Sequence, residues 1–150
     1  MDEISEIIAS LRELKRVFFR LMQQDAEAVG ITGLQLMVIR TLAHHENITL
    51  NELAEKTQLT ASTMSGVVDR LVKAGLVGRE RSEHDRRALV LHLTDAGREK
   101  LGDAFGPLST FWRRLEAGRH RLSEQDIREL LRLHHELITI LTTEEGETEK

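Results

Sequence analysis

The sequence predicts a mainly α-helical protein of the α+β class, with one short β-hairpin. Apolar residues recur every three or four positions along most of its 150 residues, which is helical spacing. Between residues 76 and 93 this period gives way to an alternation of apolar and polar residues, which is typical of strands. A length of 150 residues predicts one domain or two small units that share a core, and because there is no glycine- and serine-rich linker we expect a single unit over residues 1–141.

The first helices are predicted from their apolar period and from their start signals. A long helix covers residues 1–30, where Gly30 ends the apolar run. The next two helices begin at capping boxes, formed by Thr32 with Gln35 and by Thr49 with Glu52. Thr60 can cap a further helix, although no Glu or Gln follows three positions later. The predicted ranges of these three helices are about 33–45, 50–57 and 61–74.

A β-hairpin is predicted over residues 76–93. Leu76–Arg81 leads into a polar, turn-like stretch at Ser82–Asp85. Leu89, Leu91 and Leu93 then alternate with other residues along the returning strand. The hairpin therefore has a polar tip, and Arg86 and Arg87 lie at that tip.

Two more helices are predicted after the hairpin. Thr94 can cap the first, and Gly106-Pro107 inside it predicts a kink or a short break. Ser123 can cap the second. The predicted ranges are about 95–118 and 124–141, followed by an acidic tail over 142–150 that is predicted to be disordered.

The helices at 50–57 and 61–74 are predicted to form a helix-turn-helix pair. Ala54 is small enough for the close crossing that this motif requires. Gln58 lies in the turn, where many such motifs have glycine, so a slightly different turn is expected. On the second helix the apolar stripe consists of Met64, Val67, Val68, Leu71 and Val72.

The opposite face of the second helix indicates contact with DNA. The side chains of its first turns are short or carry hydroxyl groups, and cationic side chains follow them. The candidate contacts are Thr60, Ala61, Ser62, Thr63, Ser65, Gly66 and Arg70. Small residues let a helix enter the major groove, and hydroxyl groups bond to base edges and phosphates. Ser, Thr and Gly are poor helix formers, so the run favours function over the alternative of a merely solvated surface. Thr49, at a second helix start, is a candidate phosphate contact.

A helix-turn-helix followed directly by a hairpin is a winged helix. The tip of such a wing lies near the flanking minor groove, whose negative potential attracts arginine. Arg86 and Arg87 are therefore candidate minor-groove contacts, and Asp85 is expected to pair with the guanidinium of Arg87 and orient it. The alternative, a surface salt bridge of little consequence, stays open on the tip sequence alone.

Charge and composition exclude several other classes. The net charge is −4, yet residues 60–93 hold six Arg or Lys against four Asp or Glu, so the acidity does not exclude a nucleic-acid partner. Without cysteine there is no thiol nucleophile, disulfide or thiol sensor. The absence of a phosphate-binding glycine loop and of Gly-x-Ser-x-Gly argues against an enzyme, and no cofactor is predicted. No apolar run approaches a membrane span, so we expect a cytoplasmic protein without a membrane partner.

The stretch VVDRLVKAGLVGRERSEHDRRALVLHLTDAG, residues 67–97, resembles the MarR family of bacterial regulators. The resemblance lies in Asp85-Arg86-Arg87, the leucine alternation and Leu93-Thr94-Asp95-Ala96-Gly97, and it extends over most of the chain. It implies a homodimeric transcription regulator of a bacterium or archaeon, associated with the nucleoid when bound. It also implies that the helix at 61–74 reads the major groove and that Arg87 enters the minor groove. By the same resemblance the helices at about 1–30 and 95–141 form the dimer interface around a winged helix at about 33–94.

The long apolar stripes of the first and last helices predict the same dimer. They exceed what one subunit can cover, and twofold symmetry would hold two recognition helices about one DNA turn apart. A monomeric bundle is the alternative. The predicted function is a sequence-specific repressor of a palindromic double-stranded DNA operator.

The resemblance implies a small aromatic or anionic ligand that releases the DNA. The candidate ligand residues are Phe18, Met22, Met37, Arg40, His44 and Trp112, with Arg16 as a second possible partner of an acid. Ordinary core packing is the alternative for the apolar members. His45-Glu46 and His135-Glu136 each begin the pattern His-Glu-x-x-His but end in threonine, so no metal site is predicted from them. A metal-responsive regulator with His and Glu ligands from several helices stays as the alternative function.

Overall fold

A computed structural model of the chain describes residues 2–143. Within that range the order of elements matches the prediction: a long helix, three short helices, a hairpin, a divided helix and a final helix. The elements are α1 Glu3–Ala28, α2 Gly33–His44, α3 Leu50–Thr57, α4 Ala61–Lys73, β1 Val77–Arg81, β2 Leu89–Leu93, α5 Asp95–Phe105, α6 Thr110–Gly118, a 3₁₀ turn Arg119–Arg121 and α7 Glu124–Thr142. The final helix extends through Thr142, and the rest of the predicted tail, residues 144–150, lies outside the described residues.

The predicted helix starts are confirmed by their side-chain hydrogen bonds. Complete capping boxes begin α2 at Thr32, α3 at Thr49 and α7 at Ser123. At Thr49 the hydroxyl accepts from the Glu52 N–H at 3.2 Å, and the Glu52 carboxylate accepts from the Thr49 N–H at 2.7 Å. These reciprocal bonds satisfy backbone donors that the first turn of a helix leaves without a partner.

The core lies where α2, α3, α4 and the hairpin meet. Its largest fully buried side chains are Leu36, Val38, Ile39, Leu42, Leu53, Met64, Val68 and Leu71. Ala54 is also buried, as a close crossing of α3 and α4 requires. Gln58 ends α3 with a φ of 56°, so the turn adopts the left-handed conformation that glycine usually supplies. Aliphatic burial of this extent is the main stabilising term of the unit.

The hairpin pairs β1 with β2 in antiparallel register, with Val77 opposite Leu93 and Arg81 opposite Leu89. Leu91 also exchanges backbone hydrogen bonds with the segment before α3, accepting from Asn47 at 3.0 Å and donating to Ile48 at 2.8 Å. This contact ties the start of the helix-turn-helix to the wing. The simple alternation predicted for β2 does not hold, because Val90 is buried and Leu89, next to the tip, is 54% exposed.

The predicted interruption at Gly106-Pro107 is a complete break. Residues 106–109 separate α5 from α6, and Gly106 has an extended backbone. The new helix is started from outside, since the buried carboxylate of Asp25 on α1 accepts from the N–H groups of Thr110 at 2.6 Å and Phe111 at 3.2 Å. A negative charge at a helix N-terminus is favourable. These hydrogen bonds explain how the buried side chain of Asp25 is satisfied.

The start of α5 packs closely against Gly75 and Leu76, which connect α4 to β1. Thr94 caps α5 and donates to the Gly75 carbonyl at 2.6 Å. A Cβ on Gly97 would overlap the carbonyl oxygen of Leu76. Glycine at this position is therefore required by the approach of two backbones.

The chain divides into two compact units, residues 1–113 and 114–150. The described part of the second unit consists of the rest of α6, the 3₁₀ turn and α7, and α7 has no fully buried residue. Within residues 2–143 no single helix is long and apolar enough to cross a membrane; α1 and α2 pass that test of length and composition only as a pair, with a bend of 95° between them.

Candidate functional site

Helix α4 has the two faces that its sequence predicts. Met64, Val67, Val68 and Leu71 are buried and Val72 is half-buried. On the other face Ser65 is half-buried, and the remaining members are exposed: Ala61, Ser62, Thr63, Gly66, Asp69, Arg70 and Lys73. The side chains on the exposed face are therefore short, and several carry hydroxyl groups, over the first two turns. Cationic side chains lie only near the end of the helix.

The hydroxyl groups at the start of α4 are partly engaged with each other. Thr60 caps the helix by accepting from the Thr63 N–H at 3.1 Å, and it donates its hydroxyl hydrogen to Thr63 Oγ1 at 2.9 Å. The hydroxyl hydrogen of Thr63 remains able to donate outward. Gly66 has open space where a Cβ would lie, so no packing contact within the described residues requires glycine there.

Thr49, the predicted phosphate contact at α3, is held by its capping box. The Glu52 carboxylate beside it accepts a hydrogen bond from the Thr49 N–H at 2.7 Å, and this bond, together with the nearby Thr49 hydroxyl, lowers the pKa of Glu52. Glu52 is thus held in its charged form close to Thr49. This negative charge weakens the case for a phosphate at Thr49, whereas no such carboxylate caps α4 at Thr60.

The wing tip is a closed loop of residues 82–88. The Ser82 N–H donates to the Ala88 carbonyl at 2.9 Å, and the Ala88 N–H donates to the Asp85 carbonyl at 3.0 Å. Ser82 Oγ accepts from the N–H groups of His84 at 3.2 Å and Asp85 at 3.3 Å. The Arg81 guanidinium donates to the Arg86 carbonyl at 2.8 Å.

The expected pairing of Asp85 with a guanidinium is not what the structure contains. Asp85 Oδ1 accepts instead from the backbone N–H of Arg87 at 2.9 Å. A short Asp side chain readily bonds to the backbone two residues on, which stabilises a turn. Asp85 therefore sets the backbone at Arg87 and leaves the guanidinium without an ion-pair partner among residues 2–143.

One contact in this region was not predicted: an ion pair joins α4 to β1 of the hairpin. The guanidinium of Arg79 on β1 contacts the carboxylate of Asp69 on α4. Both side chains are partly exposed, so the pair contributes little to stability. Its position links the two elements that are predicted to touch DNA. The sequence offers no local signal for it, because the partners lie ten positions apart on different elements.

Five of the six predicted ligand residues lie together in one cleft of about 430 Å³ in the first unit. Phe18, Phe19, Met22 and Met37 form its apolar part. Its polar lining comes from Arg40, Thr41, His44, His45 and Lys56, and it contains no carboxylate. The cleft therefore combines an apolar floor with a cationic or neutral rim.

The sixth predicted residue, Trp112, and the additional candidate Arg16 do not line this cleft. Trp112 is 49% exposed on α6, and Arg16 instead pairs with Glu13 at 2.8 Å. The Arg40 guanidinium stacks over the rings of Phe105 at 5.3 Å and Phe18 at 6.0 Å, which holds it near the cleft. Within residues 2–143 no three His, Cys, Asp or Glu side chains are grouped to hold a metal ion, so the metal-responsive alternative has no geometric support there.

Comparison with known proteins identifies relatives of the chain. A family model described as the MarR family matches residues 29–88, from the end of α1 through the wing tip. The HTH-type transcriptional repressor MdtR of Bacillus subtilis is 33% identical over 94 residues, which cover 63% of this chain and 61% of that protein. The organic hydroperoxide resistance transcriptional regulator of Bacillus subtilis is 29% identical over 140 residues, which cover 91% of this chain and 85% of that protein.

A solved structure extends the likeness to nearly the whole chain. The multiple antibiotic-resistance repressor of Listeria monocytogenes is 26% identical and superimposes with a TM-score of 0.69 over 93% of this chain and 94% of that chain. The relatives are named as regulators of transcription, which is not an enzymatic role. The match to MdtR spans less than two thirds of that protein's length.

Proposed function

Because the chain belongs to the MarR family of winged-helix regulators, we propose that it is a sequence-specific, double-stranded DNA-binding transcriptional repressor. The observation that carries this proposal is the pairing of two exposed features, the short hydroxylated face of α4 and the arginine tip of the wing. Asp69 and Arg79 join the elements that carry them. The protein would act in the cytoplasm of a bacterium or archaeon and associate with the nucleoid when bound.

The proposed residue roles are assigned from the position of each side chain; Ser65 and Thr49 are half-buried and the others are exposed. Ser62, Thr63 and Ser65 would read base edges in the major groove, with Arg70 further along the helix. Ala61 and Gly66 would let the helix backbone approach. Thr60 and, less favourably, Thr49 would bond to phosphates at helix starts. Arg86 and Arg87 would reach the minor groove, with Asp85 holding the backbone between them.

The exposed apolar side chains support a homodimer, which would bind a palindromic operator. In α7, Leu131, Ile138 and Leu141 are each more than half exposed, and so is Ile4 at the start of α1. Exposed apolar side chains in this number are typical of an interface between subunits. A twofold axis would hold two α4 helices about 34 Å apart, which matches a site of ~16–20 base pairs.

The cleft beside α2 would bind a small aromatic or anionic ligand. Its apolar floor suits a ring, and Arg40 or Lys56 suits an acidic group. The dimer would have two conformations, which differ in the distance between the two α4 helices. Such a ligand would release the operator only if it bound the conformation that does not fit DNA more tightly than the DNA-bound one.

The test is a titration of labelled DNA from upstream of the protein's own gene, followed by anisotropy across a salt series. Tight, site-selective binding that weakens steeply with salt is expected, since phosphate contacts release counterions. Arg87→Ala should weaken operator binding about tenfold to 100-fold with an unchanged melting temperature, because Arg87 is exposed and its guanidinium is unpaired.

The control is Arg12→Ala, which removes another exposed arginine, on α1. It should change affinity much less than Arg87→Ala. Equal losses of operator affinity in the two variants would mean that Arg87 contributes only its charge and that its position in the wing has no role. Weak binding to every duplex, with no preferred site, would contradict the proposed function.

A further inference from the structure

The wing tip is held in shape by side chains that are not themselves predicted DNA contacts. Arg81, the last residue of β1, donates from Nη1 to the Arg86 carbonyl at 2.8 Å and so spans the loop from one side to the other. Ser82 closes the near side by accepting from the N–H groups of His84 and Asp85. Backbone bonds between Ser82 and Ala88 and between Ala88 and Asp85 complete the loop.

The result is an ordered backbone that carries unpaired side chains. The carbonyl of Arg86 and the N–H of Arg87 are both engaged within the loop. The guanidinium groups of these two residues are exposed and, within residues 2–143, have no ion-pair partner. A loop that is already ordered loses less conformational entropy when its side chains are immobilised in a groove.

We infer that Arg81 and Ser82 are positioning residues for minor-groove recognition, acting through the tip backbone and not by contact with DNA. Arg81 orients the peptide between Arg86 and Arg87, and Ser82 fixes the turn that precedes it. This inference rests on the proposed DNA-binding function. It goes beyond that function because neither residue belongs to the predicted DNA-contacting set, and because it assigns part of the wing's selectivity to residues that never touch the operator.

The first experiment needs no DNA. Backbone ¹⁵N relaxation of the full chain gives amide order parameters for residues 83–88. Ser82→Ala and Arg81→Gln should each lower the order parameters of Arg86 and Arg87. The control is Glu83→Gln, an exposed tip residue outside the hydrogen-bond network of the described residues, and it should change nothing. Unchanged order parameters at Arg86 and Arg87 in both network variants would overturn the inference.

The second experiment separates positioning from direct contact. We expect Ser82→Ala, which alters no charge, to weaken operator binding about two- to tenfold, the range that follows from losing ordinary hydrogen bonds. The loss of affinity should be measurable for operators with A·T-rich flanks and absent for operators with G·C-rich flanks, because only the wing contacts the flank. Melting temperatures measured in parallel should stay at the wild-type value.

Arg81 is tested by its salt dependence. If Arg81 acts through the Arg86 carbonyl, Arg81→Gln lowers affinity while the slope of log K against log salt stays as in the wild type. Arg81→Lys, which keeps a donor and the charge, should recover part of the loss. A slope reduced by about 0.9 would instead make Arg81 a phosphate contact and overturn its positioning role.

Failure of the inference and failure of the proposed function have different signatures. If the wild-type protein binds every duplex equally, the proposed function is wrong, and so is the role of Arg81 and Ser82 in flank selectivity, whatever the order parameters are. A wild-type protein that selects its operator, with network variants indistinguishable from it, overturns the inference alone.

Discussion

Helices α4 and α7 are both amphipathic, yet α4 buries its apolar face and α7 leaves most of its apolar side chains exposed. In α4 the apolar face is buried against its own chain and the polar face is exposed. In α7 no residue is fully buried, and leucine and isoleucine side chains are exposed, including Leu130, Leu131, Leu133, Ile138, Ile140 and Leu141. The exposed face of each helix indicates its partner, because a polar, hydroxylated face suits DNA and an apolar face suits another protein surface.

The difference also shows what an amphipathic pattern means. The pattern predicts a helix with an apolar side, but it does not say whether that side is covered within the chain. For α4 the covering elements are α2, α3 and the hairpin of the same unit. For α7 we propose a second copy of the chain, and the predictions that follow test this contrast.

The largest effect is expected from a charge on the apolar face of α7. Leu131 is 64% exposed in the single chain, so Leu131→Glu should leave the folding of one chain almost unchanged. In a dimer with a twofold axis it would place two unpaired carboxylates at the interface. We expect monomers in sedimentation equilibrium and a loss of operator affinity of about 100-fold or more.

The control is Arg128→Glu on the same helix, where the side chain is 71% exposed. It introduces the same group on the polar face and should leave the assembly intact. A Leu131→Glu protein that stays dimeric and binds its operator normally would show that α7 does not form the interface.

A smaller effect is expected on stability. Adding a methyl group to a glycine should cost more in the tightly packed first unit than in the second unit. Gly97→Ala places a methyl group on the Leu76 carbonyl oxygen and close to Leu93, and a backbone oxygen cannot move aside cheaply. We expect a loss of about 1–3 kcal/mol in the free energy of unfolding, measured by urea denaturation. Gly118→Ala, at a glycine in the second unit with open space around it, is the matched control and should be nearly neutral. Similar values for the two variants would contradict the tight approach at Gly97.

Gly66→Ala should have opposite effects on stability and on binding. The site has open space and lies inside a helix, so alanine should stabilise the protein by about 0.5–1 kcal/mol. The added methyl group would lie on the face that approaches DNA, and we expect operator affinity to fall about three- to tenfold. Gly102→Ala, at an exposed helical glycine of α5, should stabilise without that loss. Unaltered affinity in Gly66→Ala would remove this part of α4 from the interface.

The smallest effect should be alike in both units, because helix capping is local. The lowered pKa of Glu52 arises from hydrogen bonds with Thr49, and that of Asp126 from hydrogen bonds with Ser123. Each carboxylate therefore adds stability above its ordinary pKa, 4.5 for Glu52 and 3.8 for Asp126, and this contribution is lost as the pH falls through the lowered value.

Glu52→Gln and Asp126→Asn should keep the caps but remove that acid-dependent part. Urea denaturation between about pH 6 and pH 3 should show each variant approaching the wild type in stability as the pH falls. A constant difference across the series would mean that the charge of the carboxylate has no role in the cap.

Capping and period were sufficient to predict where most of the helices in residues 2–143 begin. The start of α2, α3, α4 and α7 each coincides with the residue after a predicted threonine or serine cap. The break after α5 also follows from Gly106-Pro107. These signals act within four residues, so the sequence displays both partners of each contact side by side.

Contacts between distant residues were not predictable in the same way. The buried Asp25 that starts α6 lies 85 positions from Thr110, and the sequence shows it only as one more acid on α1. The cleft was predicted in its main members, yet Trp112 was expected there and Phe19 and Lys56 were not. Which side chains converge depends on the crossing of helices, and periodicity along one helix carries no information about that crossing.

The amino-acid order was enough for the helices, the hairpin, the polar face of α4 and the arginine tip, because propensity, caps and period are properties of neighbouring residues. Folding assigned the Asp85 carboxylate to the Arg87 backbone, paired Asp69 with Arg79 and set Arg81 against the Arg86 carbonyl. Each of these contacts had several chemically equivalent partners in the sequence, and packing selected one of them by bringing its atoms within hydrogen-bonding distance.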